Sequence, residues 1–226
     1  MKQMKKLLAL ALAALMILSM TACSGLVDKA TELQMAALVQ GNIDELYLGK
    51  FDADYLKSVN STEEEAKTYY EDGLAAEAEY FAYYFGIEFF TDDLKAELMD
   101  LYREIYSHSS YTVGAASTLD DTTVVVKVDV QPIDIFVQVV DGFEAYAADF
   151  YAKYTSDVVE AMDDAAYQAF DAEWAKLVLD RCYEKLETIG HEETTSLAVQ
   201  VVLQDEIWRI SDDSMADIDT AMITYP

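Results

Sequence analysis

Two cysteines, two histidines and a large excess of carboxylates are the side chains from which this chain could build chemistry. His108 and His191 stand in no H-E-x-x-H or H-x-x-E-H spacing, and a shared zinc site would need further ligands at recognisable intervals. His191-Glu192-Glu193 is the nearest approach to a metal-binding cluster, and it lies in a turn before a strand. Both histidines are expected at the ends of helices, where a C-terminal dipole favours them. No G-x-S-x-G, no S-x-x-K and no glycine-rich phosphate loop occurs. Acidic pairs recur at Asp52/Asp54, Asp92/Asp93, Asp120/Asp121, Asp163/Asp164 and Asp212/Asp213, at positions that read as turns and helix caps. None fits a twelve-residue calcium loop. The expectation is no catalytic residue, no metal and no cofactor.

Cys23 is different, because of what precedes it. Lys2, Lys5 and Lys6 open the chain, and Leu7 to Met20 is apolar except at Ser19. Fourteen helical residues span about 21 Å, short of a hydrocarbon core of about 30 Å. This is the layout of an export signal. Ser19-Met20-Thr21-Ala22-Cys23 resembles the lipobox of bacterial lipoproteins, with Met20 where leucine is usual. The resemblance implies transfer of a diacylglyceryl group, carrying two palmitate-type chains, to the Cys23 thiol, cleavage before Cys23 that frees its amine, and a mature protein held outside the cytoplasm on the cell membrane. Two or more acyl chains suffice for stable anchoring.

The chain divides accordingly into a signal peptide, residues 1–22, and a mature α+β domain, residues 23–226. The mature part keeps 12 basic residues against 43 acidic ones, a net charge of −31 with histidines neutral. Such a field repels nucleic acid and anionic headgroups. With Cys23 acylated, only Cys182 remains, so no internal disulfide can form and packing must supply stability. Cys182 lies in an apolar helical pattern and reads as a small buried hydrophobe.

One aromatic cluster stands out. Tyr80, Phe81, Tyr83, Tyr84, Phe85, Phe89 and Phe90 fall within eleven residues. They cannot all point one way on a helix. Most belong to the core, but Tyr80, Tyr83, Tyr84, Phe89 and Phe90 are also candidates to line a ligand pocket.

The elements that must position these residues follow from periodicity. Leu26 to Gln40 reads as a helix with Leu26, Ala30, Leu33, Ala37 and Leu38 inward, ended by Gly41-Asn42 and followed by a short segment, Ile43 to Leu48. Ser61 and Glu64 suggest a capping box opening a helix to about Tyr84, with Tyr70, Leu74, Ala78, Phe81 and Phe85 inward. Thr91-Asp92-Asp93 caps the next, with Leu94, Leu98, Leu101 and Ile105 inward. Alternation around Tyr111–Ala115 and Val124–Val130, with a turn at Asp120-Asp121 and a stop at Pro132, marks a β-hairpin. Two long helices are expected over 135–162 and 164–188, the second capped by Asp163 or Asp164 and ended by Gly190. A second hairpin pairs Leu197–Leu203 with Ile207–Ile210, with Trp208 facing the helices, and Ser211 caps a final helix to Met222.

The fold class is therefore α+β, helices packed on an antiparallel sheet built from two β-hairpins. Residues 26–132 and 133–226 could be related halves sharing that sheet. The Tyr111–Val130 hairpin with Gln131-Pro132, the helix from Tyr69 to Phe85 and the Ile207-Trp208-Arg209-Ile210-Ser211 ending are together similar to uncharacterised Gram-positive surface lipoproteins of domain-of-unknown-function families. The Trp-Arg-Ile ending also resembles the last strand of cystatin-like or nuclear-transport-factor-like cones. That implies helices on a curved sheet, and no site residue can be carried over. The functional expectation is a non-enzymatic envelope lipoprotein that binds a small apolar ligand or another envelope protein. The alternatives are an enzyme assembled from scattered residues, or a solute-binding protein with an aromatic-lined pocket.

Overall fold

The computed structural model describes residues 18–19, 29–205 and 207–226. Residues 20–23 of the lipobox and Leu26 lie outside the described residues, as does Glu206, between the two strand segments of the second hairpin.

The first helix, α1 (Lys29–Leu48), does not stop at Gly41-Asn42 but runs through them as one element. Gly41 is there for contact, not for termination: a Cβ on it would sit 2.2 Å from Tyr55 Cδ2. The end comes at Gly49, whose φ of +58° suits glycine. The inward face also differs from expectation. Met35, Leu38, Val39, Ile43, Leu46 and Tyr47 are buried, whereas Leu33 is 73% exposed and Ala37 is exposed. Continuity of the helix through Asn42 extends that buried face toward its C-terminus.

Helix α2 (Ala53–Ser58) is capped by Asp52, whose carboxylate accepts from Asp54 N and Tyr55 N. The capping box of α3 (Glu63–Phe85) forms one residue later than Ser61/Glu64. Thr62 Oγ1 accepts from Glu65 N at 3.2 Å, and Glu65 Oε2 accepts from Thr62 N at 2.9 Å. Ser61 cannot serve, because its N–H already donates to Leu56 O at 2.9 Å in closing α2. Gly86, at φ +67°, ends α3. Thr91 caps α4 (Asp92–Ser107), which packs along α3. Leu74, Ala78, Phe81, Leu98, Leu101 and Ile105 are buried as the spacing predicts.

Strands β2 (Ser110–Asp120), β3 (Thr123–Gln131), β4 (Thr195–Gln204) and β5 (Ile207–Ile210) form an antiparallel sheet in chain order. A two-residue strand, β1 (Leu18–Ser19), pairs with β5 at the edge. Both hairpins thus share one sheet, as expected, joined where β3 meets β4. Val124, Val126, Val128 and Val130 are fully buried, opposite Val199 and Val201 on β4. Helix α1 lies against β2 and β3, and the last helix, α10 (Asp212–Met222), against β3 and β4. Trp208 and Ile210 face this core, at 4% and 5% exposure. Ser211 caps α10, accepting from Ser214 N.

The connection between the hairpins departs from expectation. Instead of one helix over 135–162 there are four short ones: α5 (Ile135–Val140), α6 (Phe143–Tyr146), α7 (Ala148–Lys153) and α8 (Ser156–Glu160). Extended Asp141 and left-handed Gly142 (φ +66°) break the first turn, and Tyr154-Thr155 break it again. Their rings find partners on α9 (Asp164–Leu186): Phe143 and Phe150 lie 5.7 and 5.3 Å from Trp174. Asp163 caps α9 through Ala166 N. That helix ends at Leu186, short of Gly190, which sits in the following loop and donates to Asp134 Oδ1.

Candidate functional site

His108 is the C-cap of α4, as expected. His191 is not at a helix end of its own, since α9 stops at Leu186. Its Nε2 instead lies 2.7 Å from the carbonyl oxygen of His108, so its ring serves the end of α4 from across the fold. His191, Glu192 and Glu193 also border a wide cleft of about 940 Å³ with Asp134 and Asp217. The ring is engaged by backbone there, and among the described residues no three metal-ligating side chains gather anywhere.

The five aromatic candidates are placed in different surroundings. Tyr80 is buried, its ring edge-on to Tyr225 at 5.1 Å. Tyr84 flanks the same ring and donates from its hydroxyl to Pro226 O. Tyr83 is 57% exposed, and Phe90 packs partly against the core. Phe89 borders a groove of about 440 Å³ between α4 and α9, with Leu94, Ala172 and Leu179. Tyr80 and Tyr84 thus meet at the Tyr225 ring, while Phe89 lies in the groove against α9. The segment after Gly86 is pinned from α9, where buried Asp171 accepts from Glu88 N at 3.0 Å and Phe89 N at 2.9 Å. Trp174 Nε1 adds a bond to Phe85 O at 2.8 Å. Asp171 escaped sequence reasoning, because its partners are backbone groups more than eighty residues away.

A second constellation was also missed, and it is the one with chemistry. Where α1, α2 and α3 meet, a cleft of about 600 Å³ is walled by Glu45, Tyr55, Val59, Ala66 and Tyr69. Glu45 is 5% exposed. Burial raises its carboxyl to about 7, against a smaller opposing contribution from a hydrogen bond to Tyr55. Tyr55 is also hydrogen-bonded to Asn42, itself fully buried on α1. Burial likewise raises the Tyr69 phenol, and the nearby Glu45 charge adds to it. The Tyr69 hydroxyl is shut off from solvent and has no hydrogen-bond partner among the described residues.

The helical spacing held the signal. Met35, Leu38, Asn42 and Glu45 fall at intervals of three and four, so an unbroken α1 must carry both polar groups inward with the apolar ones. Gly41 makes room for the Tyr55 ring that closes the cleft from α2. The result is a carboxyl poised to gain or lose a proton near neutrality, beside an unused hydroxyl, in a recess large enough for a small molecule. Cys182, by contrast, is inert: it is fully buried in α9, and burial pushes its thiol to about 12.

No protein-family model matches the sequence, and no curated protein matches it significantly. Among solved structures, the fold is similar to that of the "putative lipoprotein" ycdA from Bacillus subtilis, with a TM-score of 0.58 and 17% sequence identity. The likeness covers 84% of this chain and 56% of that one, so this chain spans little more than half the neighbour's length. At that identity it shows a shared fold. The α+β architecture stands, and the likeness gives no support to a cystatin-like or nuclear-transport-factor-like cone.

Proposed function

We propose that this chain is an envelope lipoprotein, anchored outside the cytoplasm through lipid on Cys23, that binds a small ligand in the Glu45 cleft without transforming it. The lipobox-like Ser19–Cys23 sequence supports the anchor, as does likeness to a protein described as a lipoprotein. No helix among the described residues is long and apolar enough to cross a membrane. Processing before Cys23 would also remove β1 and leave β5 as a short sheet edge bearing Arg209, a charged edge of the kind that discourages strand addition.

Binding rests on one observation: a buried acid and a tyrosine whose hydroxyl has no partner among the described residues line one recess of small-molecule size. A second reading has a specific observation in its favour. A carboxyl titrating near 7 suits a general acid or base, so Glu45 could serve an enzyme.

Two experiments test this. Cys23→Ala should abolish acyl labelling and membrane retention of the processed protein; normal processing with unchanged retention rejects the anchor. Native mass spectrometry of protein taken from its own envelope should show a bound small molecule, lost in the cleft-blocking variant Thr68→Trp. Recovery of that molecule unchanged after incubation supports binding, and turnover abolished by Glu45→Gln supports the enzyme.

A further inference from the structure

Resting on the reading of the Glu45 cleft as a binding site, we propose that it takes an organic ammonium ion. The amine head would lie between the Glu45 carboxylate and the Tyr69 hydroxyl, and the apolar body along Val59, Ala66 and the tyrosine rings.

Charge narrows the ligand first. Every ionisable side chain that lines the cleft is an acid or a phenol: Glu45 from α1, Tyr55 from α2, and Glu64, Glu65, Tyr69 and Asp72 from α3. Among the described residues no lysine, arginine or histidine lines it, so an anion would meet only repulsion there. Size narrows it further. A space of about 600 Å³ is that of a drug-sized molecule and far exceeds a bare metal ion. A hard cation would also want six or more oxygens gathered together, and among the described residues no three metal-ligating side chains come together, in this cleft or elsewhere.

A neutral ligand fits less well than a charged one. It would seal the Glu45 carboxyl from water without supplying a counter-charge, leaving the acid to bind as its protonated form. An ammonium group supplies the charge and donates N–H bonds to both the carboxylate and the Tyr69 oxygen, which has no partner among the described residues. Tyrosine faces add cation–π attraction in the same place. Because burial raises the Glu45 carboxyl to about 7, a cation binding below that pH must displace a proton, and affinity should rise with pH through neutrality.

The test uses the full acylated chain in phosphatidylcholine nanodiscs, with empty nanodiscs as blanks, read by calorimetry. Benzylammonium and n-butylammonium are the probes, and benzyl alcohol and 1-butanol are their neutral partners. Glu45→Gln and Thr68→Trp are compared with wild type after circular dichroism confirms folding. The expected result is ammonium binding at pH 8 at least tenfold tighter than at pH 5.5, than that of the matched alcohols, and than that of Glu45→Gln. Alcohols binding as tightly as the ammonium probes, or undiminished ammonium binding by Glu45→Gln, overturns the cation assignment. In that case the cleft still stands as a site if Thr68→Trp removes the binding. Absence of binding by every probe, or binding indifferent to Thr68→Trp, overturns both.

Discussion

Gly41 and Tyr55 are in such close contact that the smallest added side chain would overlap the tyrosine ring, with a Cβ 2.2 Å from Cδ2 and 2.3 Å from Cγ. This contact brings α2 against α1 and holds the Tyr55 hydroxyl where it can hydrogen-bond to Glu45 and Asn42. Gly41→Ala therefore sets two effects against each other. Helix propensity gains about 1 kcal/mol, while overpacking a buried contact costs about 1–3 kcal/mol or more. Because the ring is fixed by bonds at its far end, overpacking should win. Urea denaturation should show a net loss of stability, and a gain would mean that Tyr55 moves aside freely.

Glu45 makes stability depend on pH in an unusual direction for an acid. Its carboxyl titrates near 7 in the folded chain and near 4.5 when solvated, so between those values the folded state holds more protons than the unfolded one. Stability attributable to this group is greatest below pH 4.5, falls as pH rises to 7, and is flat above. Glu45→Gln should remove that fall, making the variant more stable than wild type at pH 8 by about 1–3 kcal/mol and close to it at pH 5. Denaturation midpoints that differ equally at both pH values would reject the assignment.

Asp171 holds two backbone N–H groups of the loop that follows α3. Asp171→Ala strands both donors and should cost about 2–4 kcal/mol, the scale of a broken buried hydrogen-bond network. Hydrogen exchange at Glu88 and Phe89 should accelerate far more than exchange in β3. Unchanged protection at those two amides would show that Trp174 alone pins the loop.

Trp208 sits on the inward face of β5, paired with Leu203. Trp208→Ala should cost about 3–5 kcal/mol as a large-to-small core substitution, while Arg209→Ala on the opposite face should cost much less. A Trp208→Ala loss below about 1 kcal/mol would contradict a core role.

Much of this molecule is written in local pattern. Alternation along Val124–Val130 and Leu197–Leu203 is enough to name the hairpins and their buried faces, because strand side chains alternate whatever the context. Thr91 and Ser211 are caps in sequence and in structure, and of the pair Asp163/Asp164 the structure uses Asp163, since capping depends on a residue and its next three neighbours. Alternation puts Trp208 and Ile210 on one face of the last strand, and the bulk of the indole ring picks that face as the inward one.

What failed was wherever a distant partner decides. Gly41-Asn42 looks like a helix stop, and only the Tyr55 ring arriving from α2 shows that the glycine is a contact point inside a continuous helix. Ser61 and Thr62 both fit a capping box, and the bond from Ser61 N to Leu56 O chooses between them. Where each ring of the run from Tyr80 to Phe90 goes is likewise set by distant partners: Tyr80 meets Tyr225, Phe81 the core, and Phe89 the groove against α9. Composition and the opening residues are sufficient for the charge and the expected address of the protein, because those readings need no neighbour in space. The Glu45 cleft exists only where three helices cross, and it is the desolvation created by that crossing, a property of no single segment, that turns an ordinary glutamate into a candidate site.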